Sequence, residues 1–250
     1  RQRVLGVNWR ELKDRGNTVL GGAVSGGLDS CTATHWLTSK GLSVEGFIVD
    51  LGQPDEESLD SVADRMRACG ATAVTIIPGQ VALADAGLQV IQAQARYEGG
   101  YWNTTGIARP VTVEAMLPEL LSREIGVMFH GATGRGNDQV RFQLAMNVLA
   151  PDMEVYAPWR DPVFLQKFQG RPDMLRYARK NGIPVKATRR KPWSSDHNLM
   201  HISYEAGELE DPGRRSRESM FQMTRSPKQA PNRETELDIE FRDGNPVEVR

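Results

Sequence analysis

The chain has 250 residues, of which 39% are hydrophobic and 25% are charged, and its formal net charge is −1. This globular composition excludes disorder, collagen and a coiled coil as descriptions of the whole chain. The balanced charge gives no overall basic field for nucleic acid or an anionic membrane, and no apolar run approaches the roughly 18 residues of a membrane span.

The cysteine content points to a reducing compartment. Cys31 and Cys69 are too few for a disulfide framework or a cysteine-based zinc site. No charged segment followed by an apolar one opens the chain, so no secretory signal is visible. We therefore expect a cytoplasmic protein with neither nucleic acid nor membrane among its partners. Arg1 in place of Met, and a strand-like last segment, indicate a trimmed or partial chain.

Short apolar runs alternate with amphipathic stretches from residue 18 onward, after a polar arm or short helix at residues 1–17. The predicted strands cover residues 18–24, 44–51, 73–77, 127–130 and 154–157. The predicted helices cover residues 30–40, 56–69, 81–94, 111–124 and 138–149, with Asp55 as a cap of the second. This alternation predicts right-handed crossovers and an α/β fold, an open parallel sheet with helices on both faces. We assign residues 1–180 to this domain.

The alternation fades after about residue 180. One more helix is predicted over residues 172–181, and residues 211–234 are typical of an exposed loop. Asp243-Gly244 is a hairpin-turn signal between predicted strands at 237–242 and 247–249. Residues 181–250 are therefore predicted to begin a second, α+β domain.

The first candidate site is the string Ala23-Val24-Ser25-Gly26-Gly27-Leu28-Asp29-Ser30, which joins the first predicted strand to a helix. A helix N-terminus offers unpaired N–H groups and a positive dipole to a phosphate, and glycines let the backbone come close. Ser25 and Ser30 add hydroxyl donors. The string is neither a Walker sequence nor G-x-G-x-x-G. A Gly-rich turn without function is the alternative.

The second candidate site is the string from His130 to Phe142, again a strand end, a glycine-rich turn and a helix start. Asp138 and Arg141 are three residues apart and share a helix face. A carboxylate and a guanidinium are the groups that bind the ammonium and the carboxylate of an amino acid. The alternative is a capped helix with a surface ion pair. Because both turns follow strands of one parallel sheet, we expect them side by side at one edge.

A third string, residues 191–207, is dense in hydroxyls, amides and carboxylates and taken alone is typical of a polar loop. A metal pair at His197 and His201 lacks the Glu of an H-E-x-x-H motif, so no metal site is predicted.

These strings together resemble one family. Ser-Gly-Gly-Leu-Asp-Ser is similar to the pyrophosphate loop of the N-type ATP pyrophosphatases. Further strings follow in the order found in argininosuccinate synthase: Gly52-Gln53, Tyr101 with Arg109-Pro110, His-Gly-Ala-Thr-Gly-x-Gly-Asn-Asp-Gln-Val-Arg-Phe, Ala-Pro-Trp-Arg, Ser-x-Asp-x-Asn-Leu and Ile-Ser-Tyr-Glu-Ala-Gly. The resemblance runs from about residue 19 to the chain end.

The resemblance implies an adenine nucleotide α-hydrolase-like fold and an ATP-dependent ligase of arginine biosynthesis. Such an enzyme adenylates the ureido oxygen of citrulline, and aspartate then displaces AMP to give argininosuccinate. ATP with Mg²⁺ is implied as a substrate, without a tightly bound cofactor or a protein cage for the metal. The other implied partners are citrulline, aspartate and, for the complete family chain, further copies in a tetramer.

The resemblance also implies site residues. Those implied for catalysis are Asp29, Asp138 and Arg109. Those implied for ATP are Ala23, Val24, Ser25, Gly26, Gly27, Leu28, Asp29, Ser30, Val49, Gly131, Gly134 and Gly136. Those implied for aspartate are Thr105, Thr133, Asn137 and Asp138. Those implied for citrulline are Tyr101, Gly106, Asn137, Arg141, Ser194 and Ser203.

The sequence departs from the family pattern at several places. Gly106 stands where a hydroxyl residue is common, and His197 where Glu is usual. Gly21 and Gly22 occupy the first strand where larger apolar residues are expected, a local weakening. The family chain continues for more than a hundred residues beyond the match to Arg250. Two alternatives to the family reaction therefore stay open: a short paralogue that ligates an amino acid to another acceptor, and a degenerate regulator that binds ATP or an amino acid.

Overall fold

The computed structural model describes residues 8–53, 58–100, 104–134, 136–185, 193–205 and 207–250. The chain divides into two compact units. The first contains residues 1–50, 56–79 and 109–187, and the second contains residues 51–55, 80–108 and 188–250. The domain boundary predicted at residue 180 stays a prediction.

Strands and helices alternate through the first two thirds of the chain. The strands are β1 (Val19–Ala23), β2 (Ser43–Asp50), β3 (Ala73–Pro78), β4 (Val127–His130), β5 (Glu154–Tyr156), β6 (Ser194–His197), β7 (Ile202–Glu205), β8 (Ile239–Arg242) and β9 (Asn245–Val249). The helices are α1 (Trp9–Asp14), α2 (Leu28–Thr38), α3 (Leu59–Ala68), α4 (Gln80–Gln92), α5 (Thr104–Ser122), α6 (Asn137–Leu149), α7 (Pro162–Lys167) and α8 (Arg171–Lys180). Short 3-10 turns lie at Pro158–Arg160, Gly207–Glu210, Glu218–Met220 and Pro227–Gln229.

The first unit is built on a five-stranded sheet in the order β3-β2-β1-β4-β5, and every described pairing in it is parallel. The predicted α/β fold is therefore confirmed. Central strands of such a sheet are covered on both faces, which explains the continuous burial of β4 and of residues 46–49 in β2. The order reverses between β1 and β4, the place where open α/β sheets bind ligands.

The glycines of β1 make room for neighbouring side chains. A Cβ atom on Gly21 would lie 2.2 Å from Cδ2 of Leu120, and one on Gly22 would lie 2.4 Å from the Phe129 ring. Both neighbours are fully buried. The larger apolar residues expected at this pair would therefore not fit, because the space that they would need is already filled, and the local weakening stays a prediction.

Helix α3 shows how a local signal misplaces a boundary. The predicted cap Asp55 lies outside the described residues. The helix begins after Ser58, whose side chain accepts the N–H of Asp60 at 3.1 Å.

The second unit contains α4 and two antiparallel hairpins, β6-β7 and β8-β9. The predicted β8-β9 hairpin is confirmed, with Asp243 and Gly244 both at positive φ in its turn. Residues 194–205, typical of a loop in the sequence, pair as β6-β7 instead. The predicted exposed loop at 211–234 contains two 3-10 turns and the buried Met220. In the part of the chain that the structure describes, no helix is long and apolar enough to cross a bilayer.

Asp161 ties three segments of the first unit together. Its buried carboxylate accepts the Trp9 N–H at 3.0 Å, the Tyr156 O–H at 2.7 Å and the Val163 N–H at 2.8 Å. The same carboxylate raises the pKa of Tyr156, after burial as the larger cause. Asp161 therefore joins α1, the end of β5 and the start of α7.

Asp161→Ala should destabilise the chain by about 2–4 kcal/mol, because three donors lose their acceptor and α7 loses its N-cap. We expect the midpoint of thermal unfolding to fall by roughly 5–12 °C in differential scanning calorimetry. Asp211→Ala is the control, since the exposed Asp211 also accepts a backbone N–H, from Gly213 at 2.9 Å. Equal effects of both substitutions would contradict this role.

Candidate functional site

The site lies where β1 and β4 end side by side. The two strands are parallel neighbours with Ala23 opposite His130, so the turns that follow them leave the same edge of the sheet. Each turn leads directly into a helix, α2 after the first and α6 after the second. The switch in strand order thus places two helix N-termini at one edge, as the sequence predicts.

Both helices begin without a side-chain cap. Gly27 precedes α2 and Gly136 precedes α6, each in an extended conformation, and neither glycine has a side chain that could bond to the first turn. The first N–H groups of a helix have no acceptor within the helix, so a bound anion can take the place of a cap. Two uncapped helix starts at the edge of one sheet form a site suited to phosphate or carboxylate oxygens.

The first turn is held from behind by Arg65 on α3. Its Nη1 donates to the Gly26 carbonyl at 2.9 Å, and the Cys31 thiol approaches the same oxygen at 3.4 Å. Ser25 is exposed, whereas Ser30 is buried and its hydroxyl donates to the Gly27 carbonyl at 3.2 Å. Both hydroxyls were expected to donate to a phosphate. The Ser25 hydroxyl is exposed, whereas the Ser30 hydroxyl donates within the turn and supports its shape.

The second turn is ordered by His130. This residue is buried, stacks on Phe142 at 4.7 Å between ring centroids, and accepts the Ala132 N–H through Nδ1 at 3.2 Å. Burial lowers the pKa of His130 to about 4, and Arg109 and Arg160 act in the same direction. His130 is therefore neutral at pH 7 and available as an acceptor for its own turn.

The two turns touch each other. A Cβ atom on Gly131 would lie 3.2 Å from the Ser30 nitrogen and 3.5 Å from the carbonyl carbon of Asp29. Any larger residue at this position would press against the backbone at the start of α2, so glycine favours this close approach. The prediction that the two glycine-rich turns lie side by side is confirmed.

A cluster of opposite charges is centred on Asp138 in the first turn of α6, with Arg141 one turn further along α6 and Arg109 on α5. Asp138 Oδ2 accepts from Arg109 Nε at 3.0 Å and Nη2 at 2.7 Å, and Asp138 Oδ1 accepts from Arg141 Nη1 at 2.8 Å. Burial raises the pKa of Asp138, but the two guanidinium groups outweigh it and the pKa is lowered. We call these three residues the arginine–aspartate cluster. Its formal charge of one unit positive favours an anionic ligand.

The arginine–aspartate cluster changes the expected role of Arg109. Asp138 and Arg141 share a face as predicted, and Arg109, expected to bind the ligand's carboxylate, forms the two-donor hydrogen bond to Asp138. The side chains are one-fifth to one-quarter exposed, so the ion pair is not the surface pair of the alternative interpretation. Thr133 is exposed on the second turn, and Asn137 is exposed directly before Asp138 in the chain.

Asp29 lies on the first turn of α2, and its carboxylate accepts the indole N–H of Trp159 at 3.0 Å. Burial raises the pKa of Asp29, and the hydrogen bond from Trp159 and the charge of Arg171 oppose that rise. Trp159 was not among the predicted site residues. The signal that could have found it is its place directly after β5, at the same edge of the sheet.

The other predicted ligand residues lie elsewhere in the fold. Val49 is buried near the end of β2. Thr105 and Gly106 lie near the start of α5, and Ser194 and Ser203 lie on the β6-β7 hairpin, all four in the second unit.

Within the second unit, α5 and the β6-β7 hairpin meet where Thr104 hydrogen-bonds His201 Nδ1. Tyr101 lies outside the described residues. His197 is buried with its ring edge-on to Tyr204 at 6.3 Å, which places it inside the hairpin's packing. Among the described residues, no three His, Cys, Asp or Glu side chains come together as a metal site would require.

Comparison with known proteins assigns both parts of the chain to one family. A profile described as the arginosuccinate synthase N-terminal HUP domain matches residues 18–184, and one described as the arginosuccinate synthase C-terminal domain matches residues 193–250. An argininosuccinate synthase from Thermotoga petrophila is 43% identical over 230 residues, 91% of this chain and 55% of that protein. The Homo sapiens protein of that name is 40% identical over 241 residues, 95% of this chain and 57% of its own. The chain thus spans little more than half the length of these relatives.

Asp138→Asn should lower stability at pH 7 by about 1–2 kcal/mol, because two half-buried guanidinium groups lose their counter-charge. Since the folded pKa of Asp138 lies below its unfolded value, this contribution is present above the unfolded pKa and is lost as pH falls through the folded pKa. The difference between the two proteins should therefore shrink towards pH 3 in thermal unfolding. The matched control is Asp64→Asn, since Asp64 pairs with Arg67 three residues away but is exposed. A difference that persists unchanged at pH 3 would contradict the ionic origin.

His130→Gln should remove a pH dependence of stability on the acidic side. The pKa of His130 falls from 6.5 to about 4 on folding, so the unfolded chain binds the proton more tightly. Stability from this residue is complete above pH 6.5 and is reduced by about 3 kcal/mol at pH 4. Thermal unfolding between pH 8 and pH 4 should show a flatter profile for His130→Gln than for His35→Gln, which leaves His130 in place. Parallel profiles would refute the assignment.

Proposed function

Because the chain belongs to the argininosuccinate synthase family, we propose that it carries the nucleotide and aspartate sites of an AMP-forming ligase that joins citrulline and aspartate. The observation that carries this proposal is the contact between the two uncapped helix starts, with the arginine–aspartate cluster on the second. A polyphosphate bound on one turn then lies next to an amino-acid site on the other.

ATP is proposed to bind with its phosphates on the first turn, residues 24–30, and along the second turn at Gly131, Gly134 and Gly136. The open N–H groups of α2 and the dipole of that helix favour the phosphate oxygens. Val49 is proposed to line the adenine side. Mg²⁺ is proposed to enter as part of the MgATP substrate, since small hard cations bind phosphate oxygens readily and keep several of their waters.

The first chemical step is proposed to be attack of the ureido oxygen of citrulline on the α-phosphorus of ATP. The new O–P bond forms as the bond between the α-phosphorus and the bridging oxygen breaks, and pyrophosphate leaves with that electron pair. A ureido carbon is a poor electrophile, and the AMP ester gives it a leaving group. The protein contributes mainly orientation and stabilisation of phosphoryl charge.

The second step is proposed to be attack of the aspartate amine on that ureido carbon. A C–N bond forms, AMP leaves with the C–O electron pair, and the amine loses its proton to give argininosuccinate. The arginine–aspartate cluster suits this substrate because Asp138 can bind an ammonium and a guanidinium can bind a carboxylate. For aspartate to bind, the substrate must exchange with part of the internal pairing of Arg109, Asp138 and Arg141.

The remaining ligand roles rest on the family resemblance. Thr105, Thr133 and Asn137 are proposed to contact aspartate. Citrulline is proposed to contact Tyr101, Gly106, Asn137, Arg141, Ser194 and Ser203. A cytoplasmic location and a homotetramer of the complete family chain are proposed on the same basis.

The test follows pyrophosphate and AMP separately with the full chain and citrulline labelled with ¹⁸O in the ureido group. With MgATP and citrulline alone, we expect pyrophosphate release that depends on citrulline. After aspartate is added, we expect AMP that carries the ¹⁸O atom, detected by mass spectrometry. Unlabelled AMP would contradict attack by the ureido oxygen.

Asp138→Asn should separate the two steps. We expect citrulline-dependent pyrophosphate release to survive, whereas aspartate-dependent turnover should fall by about 100-fold, since one charged contact is worth about 1.5–3 kcal/mol. Asp64→Asn, on an exposed helix face, should change neither step.

Two other outcomes would replace this proposal. Pyrophosphate release from ATP only with another ureido or carboxylate compound would identify a ligase with a different acceptor. Binding of MgATP without any pyrophosphate release would identify a regulator.

A further inference from the structure

The peptide unit between Gly26 and Gly27 decides which of its polar groups the first turn presents. In a trans peptide the carbonyl and the following N–H point in opposite directions. The Gly26 carbonyl is turned towards α3, where Arg65 Nη1 donates to it at 2.9 Å, and Gly26 is buried whereas Gly27 is exposed. The Gly27 N–H therefore faces away from α3, on the exposed side of the turn.

Helix α2 does not fix this orientation by itself. The Gly27 carbonyl accepts the Cys31 N–H at 3.0 Å and the Ser30 hydroxyl at 3.2 Å, so its direction is set by the helix. The Gly26 carbonyl lies one residue earlier, before the helical hydrogen bonds begin. Two successive glycines also offer little steric resistance to rotation of the peptide between them. A donor outside α2 is therefore needed to select one orientation.

Arg65 is placed to supply that donor. It lies on α3, and a Cβ atom on Gly26 would come within 2.7 Å of both Arg65 Nη1 and Val62 Cγ1. The φ angle of Gly26 is +67°, in the left-handed region that glycine adopts readily. The bare backbone of Gly26 thus lets one face of α3 approach closely. Because the donor is charged, its hydrogen bond is stronger than one from a neutral group.

We propose that Arg65 is a positioning residue, which fixes the Gly26 carbonyl towards α3 and thereby keeps the Gly27 N–H directed at the phosphates of ATP. This inference rests on the proposed use of the first turn for ATP. If the peptide rotated by half a turn, the carbonyl oxygen would face the phosphate oxygens and repel them, whereas the N–H attracts them. Arg65 acts through the backbone of the turn, so its role requires no contact with the substrate.

The test measures the affinity of the full chain for inorganic pyrophosphate with Mg²⁺, by isothermal titration calorimetry. Arg65→Met keeps an aliphatic stem and removes the donor, and we expect the dissociation constant to rise about 5- to 20-fold. Arg65→Lys keeps a charged donor on a stem of similar length, so it should retain the affinity within about threefold. Arg65→Gln, whose shorter side chain cannot reach the carbonyl, should reproduce Arg65→Met if the latter folds poorly.

Arg67→Met is the matched control. Arg67 lies on the same helix, and its Nη2 also reaches a backbone carbonyl, that of Val74 on β3 at 3.5 Å, rather than one in the turn. This substitution should leave the affinity for magnesium pyrophosphate within about twofold of the wild type. Adenosine is a second control, because it has no phosphates. Its dissociation constant, from an NMR titration, should change by less than about twofold in Arg65→Met.

A spectroscopic readout separates the orientation of the peptide from the charge of Arg65. Labelling with ¹³C-carbonyl and ¹⁵N glycine selects the amide signals of Gly–Gly pairs, that of Gly27 among them. In the wild type, saturating magnesium pyrophosphate should move the Gly27 amide proton downfield, as a hydrogen bond to phosphate forms. In Arg65→Met that change should be markedly smaller. If Arg65 acted only through its charge, binding would weaken but the change at saturation would persist, and that result would overturn the inference.

The other results separate this inference from the proposed function. The inference is also overturned if Arg65→Met behaves like Arg67→Met, or if its affinity for adenosine falls as much as its affinity for pyrophosphate. If the wild type binds neither magnesium pyrophosphate nor MgATP, both the inference and the proposed function fail. If the Arg65 variants behave as expected but citrulline elicits no pyrophosphate release from ATP, the ligase function fails and the role of Arg65 stands.

Discussion

The site depends on the close backbone approach of two turns. Gly131 lies so near the first residues of α2 that a Cβ would contact the Ser30 nitrogen at 3.2 Å. This contact is possible because β1 and β4 are parallel neighbours and end at the same edge. It brings together two helix starts whose N–H groups have no side-chain cap. Geometry of the backbone, rather than any single side chain, therefore creates the anion site.

Each of the two helix starts carries a carboxylate, Asp29 on α2 and Asp138 on α6. Asp138 accepts hydrogen bonds from Arg109 and Arg141, and Asp29 accepts one from the indole N–H of Trp159. The buried His130 is neutral at pH 7 and supports the second turn through the Ala132 N–H. The two carboxylates nearest the helix starts thus each have a partner, which reduces their repulsion of phosphate oxygens.

The sequence predicted the sheet well and some boundaries poorly, for identifiable reasons. Helix α5 begins at Thr104 rather than after Pro110, and continues through that proline, because a proline forbids one hydrogen bond but does not prevent a packed helix from continuing. The sequence predicts a loop where the β6-β7 hairpin forms, since Ser-Ser-Asp-His lacks the apolar alternation of a half-buried strand. Tertiary packing overrides local preference in both cases.

The candidate site was predictable where the signal is local and unpredictable where it is not. By itself, the sequence determined the α/β alternation, the two glycine-rich turns and the shared face of Asp138 and Arg141, because each follows from spacing along one or two elements. Only the tertiary structure decided that Arg109 pairs with Asp138 and that Trp159 reaches Asp29, 130 residues away in the chain. Such contacts depend on strand order and on the packing of rings such as Phe164, which no local spacing encodes.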